Sequence, residues 1–310
     1  MIPAAFLERL SLIVPPEDLS GVVHTFSVKE AFILRVNPLK GEAEATLGRL
    51  AEEGVSLAAV PWCGDAWIVG AETVEAMSRH PLFDEGKIYR QSLSSLIPAV
   101  LLGALPGERV LDACAAPGSK ATQIAAMMRP EGEVVAVEAV KARFFRLRSV
   151  CALLGAATVA CKLCDVRRLR LPDNMFFDRV LVDAPCSSEG RFRADDPESY
   201  AYWSPRKIKE MSYKQKGILM SAARLLKPGG CLVYATCTFA PEENEEVVDW
   251  FLNKSEGAFA LEEAGLPGVP RLPAVTRWGR DAFSPDMAMC LRVKPDHLYT
   301  GFFVAKLRKL

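Results

Sequence analysis

Two cysteines follow apolar segments in the second half of the chain, and their setting suggests nucleophilic chemistry. Cys237 comes after LVYAT and stands between two threonines, and Cys186 comes after RVLVDAP. A cysteine thiolate is a strong nucleophile. A single cysteine at a strand end is more often a small buried apolar residue, but two that face one cleft indicate catalysis. The sequence therefore predicts an active site built around this pair.

A turn of small residues and two acids occupy similar positions earlier in the chain. The turn is DACAAPGSK, residues 112–120, which leads into a helical pattern whose free N–H groups suit an anionic group. It has neither the GxGxxG spacing nor the phosphate-loop spacing. Glu138 and Asp165 end the next two apolar segments; Glu138 is placed to hold ribose hydroxyls, although either acid alone is more often an ordinary charged residue. Together these features predict a nucleoside with a small charged group.

A metal site is the rival interpretation of the cysteines, since Cys161 and Cys164 have CxxC spacing. A structural zinc ion needs four ligands, and neither a second CxxC nor a spaced histidine pair occurs among three histidines. Nine cysteines without regular spacing fit reduced thiols better than a disulfide framework. We expect no metal.

The elements that must position these residues are short apolar strands alternating with helices from about residue 102 onward. The strand-like segments are RVLDACAA, EVVAVEA, ATVACKLCD, FDRVLVDAP and CLVYATCT. This alternation predicts an α/β, doubly wound, Rossmann-like domain with a parallel sheet covered on both faces. Ligands bind at the carboxyl ends of such strands, where the cysteines and acids lie. The tail GFFVAKLRKL is interpreted as a late strand at the far edge of the sheet.

The first hundred residues have a different pattern. Helical segments PAAFLERLSLI and GEAEATLGRLAEE flank the strand-like AFILRVNPL, and SLAAVPWCGDAWIVG follows as a second extended stretch. We therefore predict two domains, a small N-terminal α+β module over residues 1–101 and the doubly wound domain over 102–310.

Composition restricts partners and location. Lysine plus arginine and aspartate plus glutamate both total 38, so there is no overall positive field for nucleic acid. Local basic clusters are ordinary solvated surface or phosphate contacts; they lie at residues 141–148, at 167–170, and at Arg191 and Arg193. No apolar run reaches the roughly 20 residues of a membrane span, and the N-terminus lacks a signal-peptide pattern. We expect a cytoplasmic protein with no membrane partner.

The motifs VLDACAAPGSKATQIA, LVDAPCSSEG and LVYATCTFAPEENEE together resemble those of the NOL1/NOP2/Sun family of RNA cytosine-5 methyltransferases. FILRVNPLK, IYRQSLSSLIP and GFFVAKLRKL resemble further family segments, so the resemblance covers nearly the whole chain. VPWCGDAWIV and the tail are similar to the bacterial RsmF-like subgroup, which methylates small-subunit ribosomal RNA. That subgroup has a further C-terminal RNA-binding extension, and this chain ends where the catalytic core is expected to end.

The resemblance implies a mechanism and a cofactor, S-adenosylmethionine. Cytosine C5 is too weak a nucleophile to take a methyl group directly, so a thiolate must first add to C6. The family pattern gives this attack to Cys237, product release to Cys186, and contact with the cytosine N3 edge and the cofactor to Asp183. The base that removes the C5 proton is not identified by the sequence.

The resemblance also implies the residues that contact the cofactor. They are Cys114, Ala115, Ala116, Pro117, Gly118, Ser119, Lys120, Glu138, Asp165 and Asp183. Ser119 and Ser188 stand where the family more often has glycine. The N-terminal module is expected to bind RNA, and Arg191, Arg193 and residues 141–148 are candidate phosphate contacts.

The target cytosine must leave its stack to reach Cys237, and we expect ribosomal RNA rather than transfer RNA as substrate, with a monomeric enzyme. A transfer RNA methyltransferase of the same family is the first alternative. A small-molecule or protein methyltransferase is disfavoured by the cysteine pair, because direct transfer to nitrogen or oxygen needs no thiol. A catalytically idle RNA-binding or ribosome-assembly protein is disfavoured by the intact motifs.

Overall fold

An antiparallel four-stranded sheet organises much of the N-terminal part of the chain in the computed structural model, which describes residues 2–170, 172 and 175–310. Its strands are β1 (Ile33–Val36), β2 (Leu57–Ala59), β3 (Ala66–Val69) and β4 (Ile88–Arg90), in the order β2-β3-β1-β4. The helices of this part are α1 (Ala4–Ile13), α2 (Pro16–Thr25), α3 (Ala43–Glu52), α4 (Val74–Met77), α5 (Pro81–Asp84) and α6 (Leu93–Leu102). The second extended stretch forms a hairpin, since Pro61 and Gly64 interrupt it between β2 and β3.

Helices α1 and α2 pack away from that sheet. Phe6, Leu10 and Val22 join a buried cluster with Phe192 and Phe239. These two phenylalanines follow Cys186 and Cys237 in the chain. The first two helices therefore support the segments that contain the two cysteines.

A nine-stranded sheet organises the rest of the chain. The strands from here on are β5 (Arg109–Asp112), β6 (Glu133–Glu138), β7 (Val159–Leu163), β8 (Phe177–Asp183), β9 (Leu226–Thr236), β10 (Phe259–Glu262), β11 (Arg271–Leu272), β12 (Arg277–Trp278), β13 (Asp281–Ala282), β14 (Leu291–Val293) and β15 (Phe302–Lys309), of which β12 and β13 form a separate hairpin. The helices are α7 (Ser119–Met128), α8 (Lys141–Leu153), α9 (Pro205–Arg224) and α10 (Glu245–Lys254). The order is β11-β14-β15-β9-β8-β5-β6-β7, and the five strands from β9 to β7 run parallel.

Alternate residues of the central strands enter two cores on opposite faces of this sheet, as the two-residue period of a strand requires. Val134 and Ala136 of β6 pack with helices α6, α7 and α8. Val135 and Val137 pack on the other face with α9 and α10. The predicted doubly wound, Rossmann-like α/β fold is confirmed.

The tail strand β15 is not at the edge of the sheet, so that prediction was wrong. It pairs with β9 on one side, and on the other with β14 along its first residues and β10 along its last. Phe302 and Phe303 point into opposite cores, which is the continuous apolar pattern of a central strand. The short strands β10 and β14 cover what would otherwise be an exposed edge.

The predicted domain boundary between residues 101 and 102 falls in the last turn of α6. This helix packs against α7 and against strands β8, β9 and β15 of the large sheet. Met1, Leu171, Asp173 and Asn174 lie outside the described residues, and the division into two domains stays a prediction. No helix in the described part of the chain combines the length and apolar character needed to cross a membrane.

Candidate functional site

The two cysteines meet at the carboxyl ends of β8 and β9. These strands are parallel neighbours with Asp183 opposite Ala235, so the loops that follow them leave the sheet side by side. Cys186 Sγ lies 3.3 Å from Cys237 Sγ, and both are free thiols. The strand register thus brings together two residues that are 51 positions apart in the chain.

This pairing shifts the pKa values of the two thiols in opposite directions. The hydrogen bond between the two thiols lowers the pKa of Cys237 to about 7, in spite of burial, and the charge of Arg191 acts in the same direction. The same hydrogen bond, together with burial, raises the pKa of Cys186 well above its usual value. Near neutral pH, Cys237 is therefore the more readily ionised thiol of the pair.

A cavity of about 620 Å³ opens beside the cysteines. Its lining contains the predicted residues Cys114, Ala115, Ala116, Pro117, Ser119, Lys120, Glu138, Asp165, Asp183, Cys186 and Cys237. Gly118 is not among the lining residues; it makes the turn into α7 with a φ of 115°, and a Cβ there would lie 3.1 Å from Leu147 Cδ1. The volume of the cavity is that of a small-molecule pocket.

The two serines that replace family glycines are accommodated differently. Ser119 is the first residue of α7, where no special backbone conformation is needed. Ser188 adopts the left-handed conformation with a φ of 60°, which favours glycine. Its hydroxyl oxygen lies 3.6 Å from Cys237 Sγ. The substitution at Ser188 therefore places a polar atom beside the nucleophile at the cost of a strained residue.

Lys120 contacts another site residue in this structure. Its buried ammonium group donates to Asp183 Oδ2 and to Ser95 Oγ, both at 2.8 Å. Asp183 ends β8, three residues before Cys186. Lys120 thereby fixes the orientation of the carboxylate that is predicted to contact the base.

Glu138 and Asp165 lie at the other side of the cavity. Glu138 is buried at the end of β6; its Oε1 accepts from the backbone N–H of Val140 at 2.8 Å, and its Oε2 is 3.6 Å from Arg143 Nη1. Asp165 accepts two guanidinium hydrogen bonds from Arg167, and this ion pair holds the pKa of Asp165 below its usual value. The oxygens of Asp165 are thus already engaged, whereas Glu138 retains acceptor capacity toward the cavity.

Asp112 is a site residue that sequence reasoning missed. Its Oδ1 accepts weakly from the N–H of Cys114 at 3.3 Å, and within the described residues Oδ2 is buried without a hydrogen-bond partner. Burial, with the nearby charge of Asp183, raises the pKa of Asp112 to about 7. An unpaired buried carboxyl oxygen in the cavity wall fits a ligand with an ammonium group, and its position at the end of β5 was the available signal.

The comparison with protein families agrees with this arrangement. A family model described as 16S rRNA methyltransferase RsmB/F matches residues 99–308. This chain belongs to the RsmB/F family. The family resemblance predicted from the motifs is therefore confirmed.

Curated relatives of this RsmB/F family member include enzymes named for two kinds of RNA. It is 35% identical over 315 residues to the ribosomal RNA small subunit methyltransferase F of Vibrio campbellii, an alignment that covers 100% of this chain and 63% of the relative. It is 36% identical over 278 residues to the tRNA (cytosine(49)-C(5))-methyltransferase of Pyrococcus abyssi, covering 89% and 87%. The chain thus spans less than two thirds of the first relative's length.

Two solved structures from Pyrococcus horikoshii have the same fold as this RsmB/F family member. A methyltransferase homolog superposes with a TM-score of 0.81 at 30% identity, covering 100% of each chain. NSun6 superposes with a TM-score of 0.82 at 23% identity, covering 99% of this chain and 98% of that one. The likeness includes the N-terminal part as well as the large sheet.

Two buried glutamates of this RsmB/F family member were also missed from the sequence. Glu189 follows Cys186 in the motif PCSSEG, and Glu243 follows Cys237 in TCTFAPEE. Burial raises the pKa of Glu189, and it raises the pKa of Glu243 to about 8. Fully buried acids are rare unless they are paired; the sequence signal available was a glutamate shortly after each cysteine.

Some of the predicted basic residues line the cavity beside the cysteines, and others line a second cavity next to it. Arg191 and Arg143 line the cavity. A second cavity of about 1190 Å³ adjoins it, shares Arg90 and Arg191 with it, and is also lined by Lys29 and Arg193. Glu30, Glu75 and Asp196 also line this second cavity, so its charge is mixed.

The CxxC motif is not part of a metal-ligand cluster within the described residues. Cys161 Sγ lies 3.9 Å from Cys151 Sγ. Over residues 2–170, 172 and 175–310, no group of three or more histidine, cysteine or acidic side chains is arranged for a metal ion.

Proposed function

We propose that this chain is an RNA cytosine-5 methyltransferase that uses S-adenosylmethionine and acts through a covalent bond between Cys237 and cytosine C6. The observation that carries the proposal is the pair of sulfurs 3.3 Å apart beside a cavity of small-molecule size. A methyltransferase acting on nitrogen or oxygen has no use for this pair. Membership of the RsmB/F family supports the same reaction.

The steps follow from the protonation states of the cysteines. The Cys237 thiolate adds to C6, and a proton taken up at N3, the edge that Asp183 contacts, neutralises the charge displaced onto the ring and is released again when the sulfur leaves. C5 then carries the nucleophilic electron pair and takes the methyl group. Loss of the C5 proton returns the electron pair to the ring and expels the Cys237 sulfur. Cys186, which holds a proton 3.3 Å from the leaving sulfur, assists this release.

S-Adenosylmethionine supplies an electrophilic methyl group when it is bound. The residues that would hold it are Glu138 at the ribose hydroxyls, the small-residue turn at residues 114–119, and Asp112 at the ammonium group. The unpaired Asp112 Oδ2 supports this orientation, because an ammonium group would satisfy it. Asp165 lines the same cavity, and its proposed place is near the adenine.

Glu138→Ala is expected to weaken binding of the cofactor product, S-adenosylhomocysteine, by about ten- to a hundredfold. Each hydrogen bond to a charged carboxylate is worth about 1.5–3 kcal/mol, and a tenfold change in affinity is about 1.4 kcal/mol. Isothermal titration calorimetry measures the effect. Glu133→Gln is the matched control, since Glu133 lies on the same strand but pairs with Arg109 outside the cavity. Equal affinities of Glu138→Ala and Glu133→Gln would contradict the assignment.

Alkylation of Cys237 by iodoacetamide in the free enzyme is expected to rise with pH around a midpoint near 7. The thiolate is the reacting form, and the hydrogen bond from Cys186 lowers the pKa of Cys237 to about 7. Rates between about pH 5.5 and 9 are followed by peptide mass spectrometry. Cys63, whose pKa is raised by burial, is an internal reference with a later midpoint. A Cys237 midpoint at or above the ordinary thiol value of about 8.5 would contradict the proposed pairing.

We propose ribosomal RNA of the small subunit as the substrate, with the target cytosine turned out of its stack. The Vibrio campbellii relative aligned over this whole chain supports this choice. Transfer RNA is the second candidate, because the Pyrococcus abyssi relative is similar over most of both chains. Bisulfite sequencing of total RNA from a deletion strain identifies the cytosine that loses protection. A monomeric, cytoplasmic enzyme is part of the proposal.

A further inference from the structure

The two cysteine loops, residues 184–190 after β8 and residues 237–243 after β9, contact each other through more than the sulfur atoms. Each loop contains one buried glutamate, and each glutamate accepts hydrogen bonds from outside its own loop. We propose that Glu189 and Glu243 are positioning residues, which together hold the Cys186 loop and the Cys237 loop at the separation that catalysis needs. The inference rests on the proposed function for its catalytic meaning, and its geometry is independent of it.

Glu189 belongs to the Cys186 loop and accepts hydrogen bonds from the Cys237 loop. Its Oε2 accepts from Thr238 Oγ1 at 2.8 Å and from the backbone N–H of Phe239 at 3.1 Å. Its Oε1 accepts from Trp203 Nε1 at 2.8 Å. Three donors therefore converge on this carboxylate, and they occupy both of its oxygens.

Glu243 belongs to the Cys237 loop and accepts from the Cys186 loop. Its Oε2 accepts from the backbone N–H of Ser187 at 3.0 Å and from Gln215 Nε2 at 2.8 Å. The same Gln215 amide donates to the carbonyl of Pro185 at 2.9 Å. Glu243 thus fixes both neighbours of Cys186, one directly and one through Gln215.

Two further hydrogen bonds close the contact between the loops. Ser187 Oγ and Thr238 Oγ1 are 2.7 Å apart; because the Thr238 hydroxyl proton is directed to Glu189, the Ser187 hydroxyl is the donor. The N–H of Gly190 donates to the carbonyl of Cys237 at 2.9 Å, and a Cβ at Gly190 would lie 2.0 Å from the carbonyl oxygen of Gly301. The opposite loop therefore holds the N–H of Ser187 after Cys186 and the carbonyl of Cys237, while Gln215 of α9 holds the carbonyl of Pro185.

The two glutamates differ in how many acceptors they must present. Glu243 uses mainly Oε2, and burial raises its pKa to about 8, so a neutral side chain with one acceptor oxygen can replace it. Glu189 uses both oxygens against three donors, and a glutamine there must turn its amide N–H groups toward one of them. Glutamine is thus expected to substitute at position 243 and to fail at position 189.

The test measures Cys237 alkylation by iodoacetamide in the free, full-length enzyme, without RNA or cofactor. The groups that face the Cys237 thiol are Cys186 and Ser188, with the charges of Arg191 and Asp183 nearby. Glu243→Ala and Glu189→Ala are expected to slow alkylation at pH 7 by about tenfold, because the pKa of Cys237 returns toward about 8.5 when the Cys186 donor moves away. Glu243→Gln is expected to keep the wild-type pH profile, and Glu189→Gln to shift it in the same direction as Glu189→Ala.

A matched charge control is available on α10. Glu246 pairs with Lys216 at 2.7 Å, and within the described residues its side chain makes no hydrogen bond to either loop, so Glu246→Gln is expected to alkylate as the wild type does. Thermal unfolding of each variant separates loss of fold from loss of position. If the alanine variants do not fold, the two glutamine variants decide, since only the one at position 189 is expected to change the profile.

Folded Glu189→Ala and Glu243→Ala variants with wild-type alkylation profiles would overturn the positioning role, as would glutamine variants that behave alike. The proposed function fails by a different result, namely a wild-type enzyme with reactive Cys237 that forms no covalent RNA adduct. In that case a changed alkylation profile would still support the positioning role. In a methyl-transfer assay, the expected signature of the alanine variants is a lower kcat with an unchanged KM for RNA.

Discussion

Cys237→Ala is expected to lower methyl transfer to RNA by at least about three orders of magnitude, since removal of a catalytic nucleophile leaves only binding and positioning. Without the sulfur no bond forms at C6, and C5 does not become nucleophilic enough to take the methyl group. Transfer of radiolabelled methyl groups from S-adenosylmethionine to total RNA of the deletion strain measures the loss. Binding of S-adenosylhomocysteine is expected to be unchanged, because the cofactor residues lie on other strands.

The control for this substitution is Cys63→Ala. Cys63 is also a partly buried free thiol, but it lies in the turn between β2 and β3, remote from the catalytic pair in the chain. Full activity of Cys63→Ala and none of Cys237→Ala would assign the reaction to one sulfur. Retained activity in Cys237→Ala would exclude the covalent mechanism and would favour Cys186 as nucleophile or a reaction that needs no thiol.

Cys186→Ala is expected to accumulate a covalent enzyme–RNA adduct. The Cys237 sulfur still adds to C6, and the methyl group is still transferred, but release of the sulfur loses the group that stands 3.3 Å away. Multiple turnover therefore falls sharply, and a species with the combined mass of enzyme and RNA persists on a denaturing gel. The adduct forms more slowly than the wild-type rate of attack, because the pKa of Cys237 rises when the hydrogen bond from Cys186 is removed.

The double variant Cys186→Ala/Cys237→Ala separates this adduct from nonspecific crosslinking. It is expected to show no shifted species, since it lacks both thiols of the pair and keeps only the other seven of the nine cysteines. A shifted species in the double variant would show that another residue bonds to RNA. Normal turnover in Cys186→Ala would remove Cys186 from the release step.

Much of the fold and the pairing of the cysteines could be predicted because both depend on local patterns that repeat. Alternating strands and helices define a parallel sheet, and parallel neighbours end at the same edge, so Cys186 and Cys237 had to approach each other. The tail was misplaced because its neighbours, β10 and β14, are strands of three or four residues in a region of irregular pattern. A strand's position in a sheet depends on its partners, and partners this short leave little trace in the sequence.

The missed site residues have a related cause. The positions of Asp112 and Glu243 in the motifs could have marked them as candidates, but their roles depend on burial and on the absence or presence of donors. Lys120 was expected at the cofactor, while its contacts with Asp183 and Ser95 depend on the approach of three separate segments. Types of side chain indicate possible chemistry, whereas hydrogen-bond partners depend on tertiary structure.

The packing of the first two helices limits how far the chain can be divided. Phe6 is in contact with the rings of Phe26, Phe192 and Trp203, and Arg9 makes two hydrogen bonds to Glu242 at 2.9 and 2.8 Å. Removal of these helices would expose the outer side of both cysteine loops to water and would leave Phe192 and Phe239 without their apolar neighbours. We therefore expect residues 102–310 alone to be less stable than the whole chain, because the first two helices cover apolar side chains beside both cysteine loops.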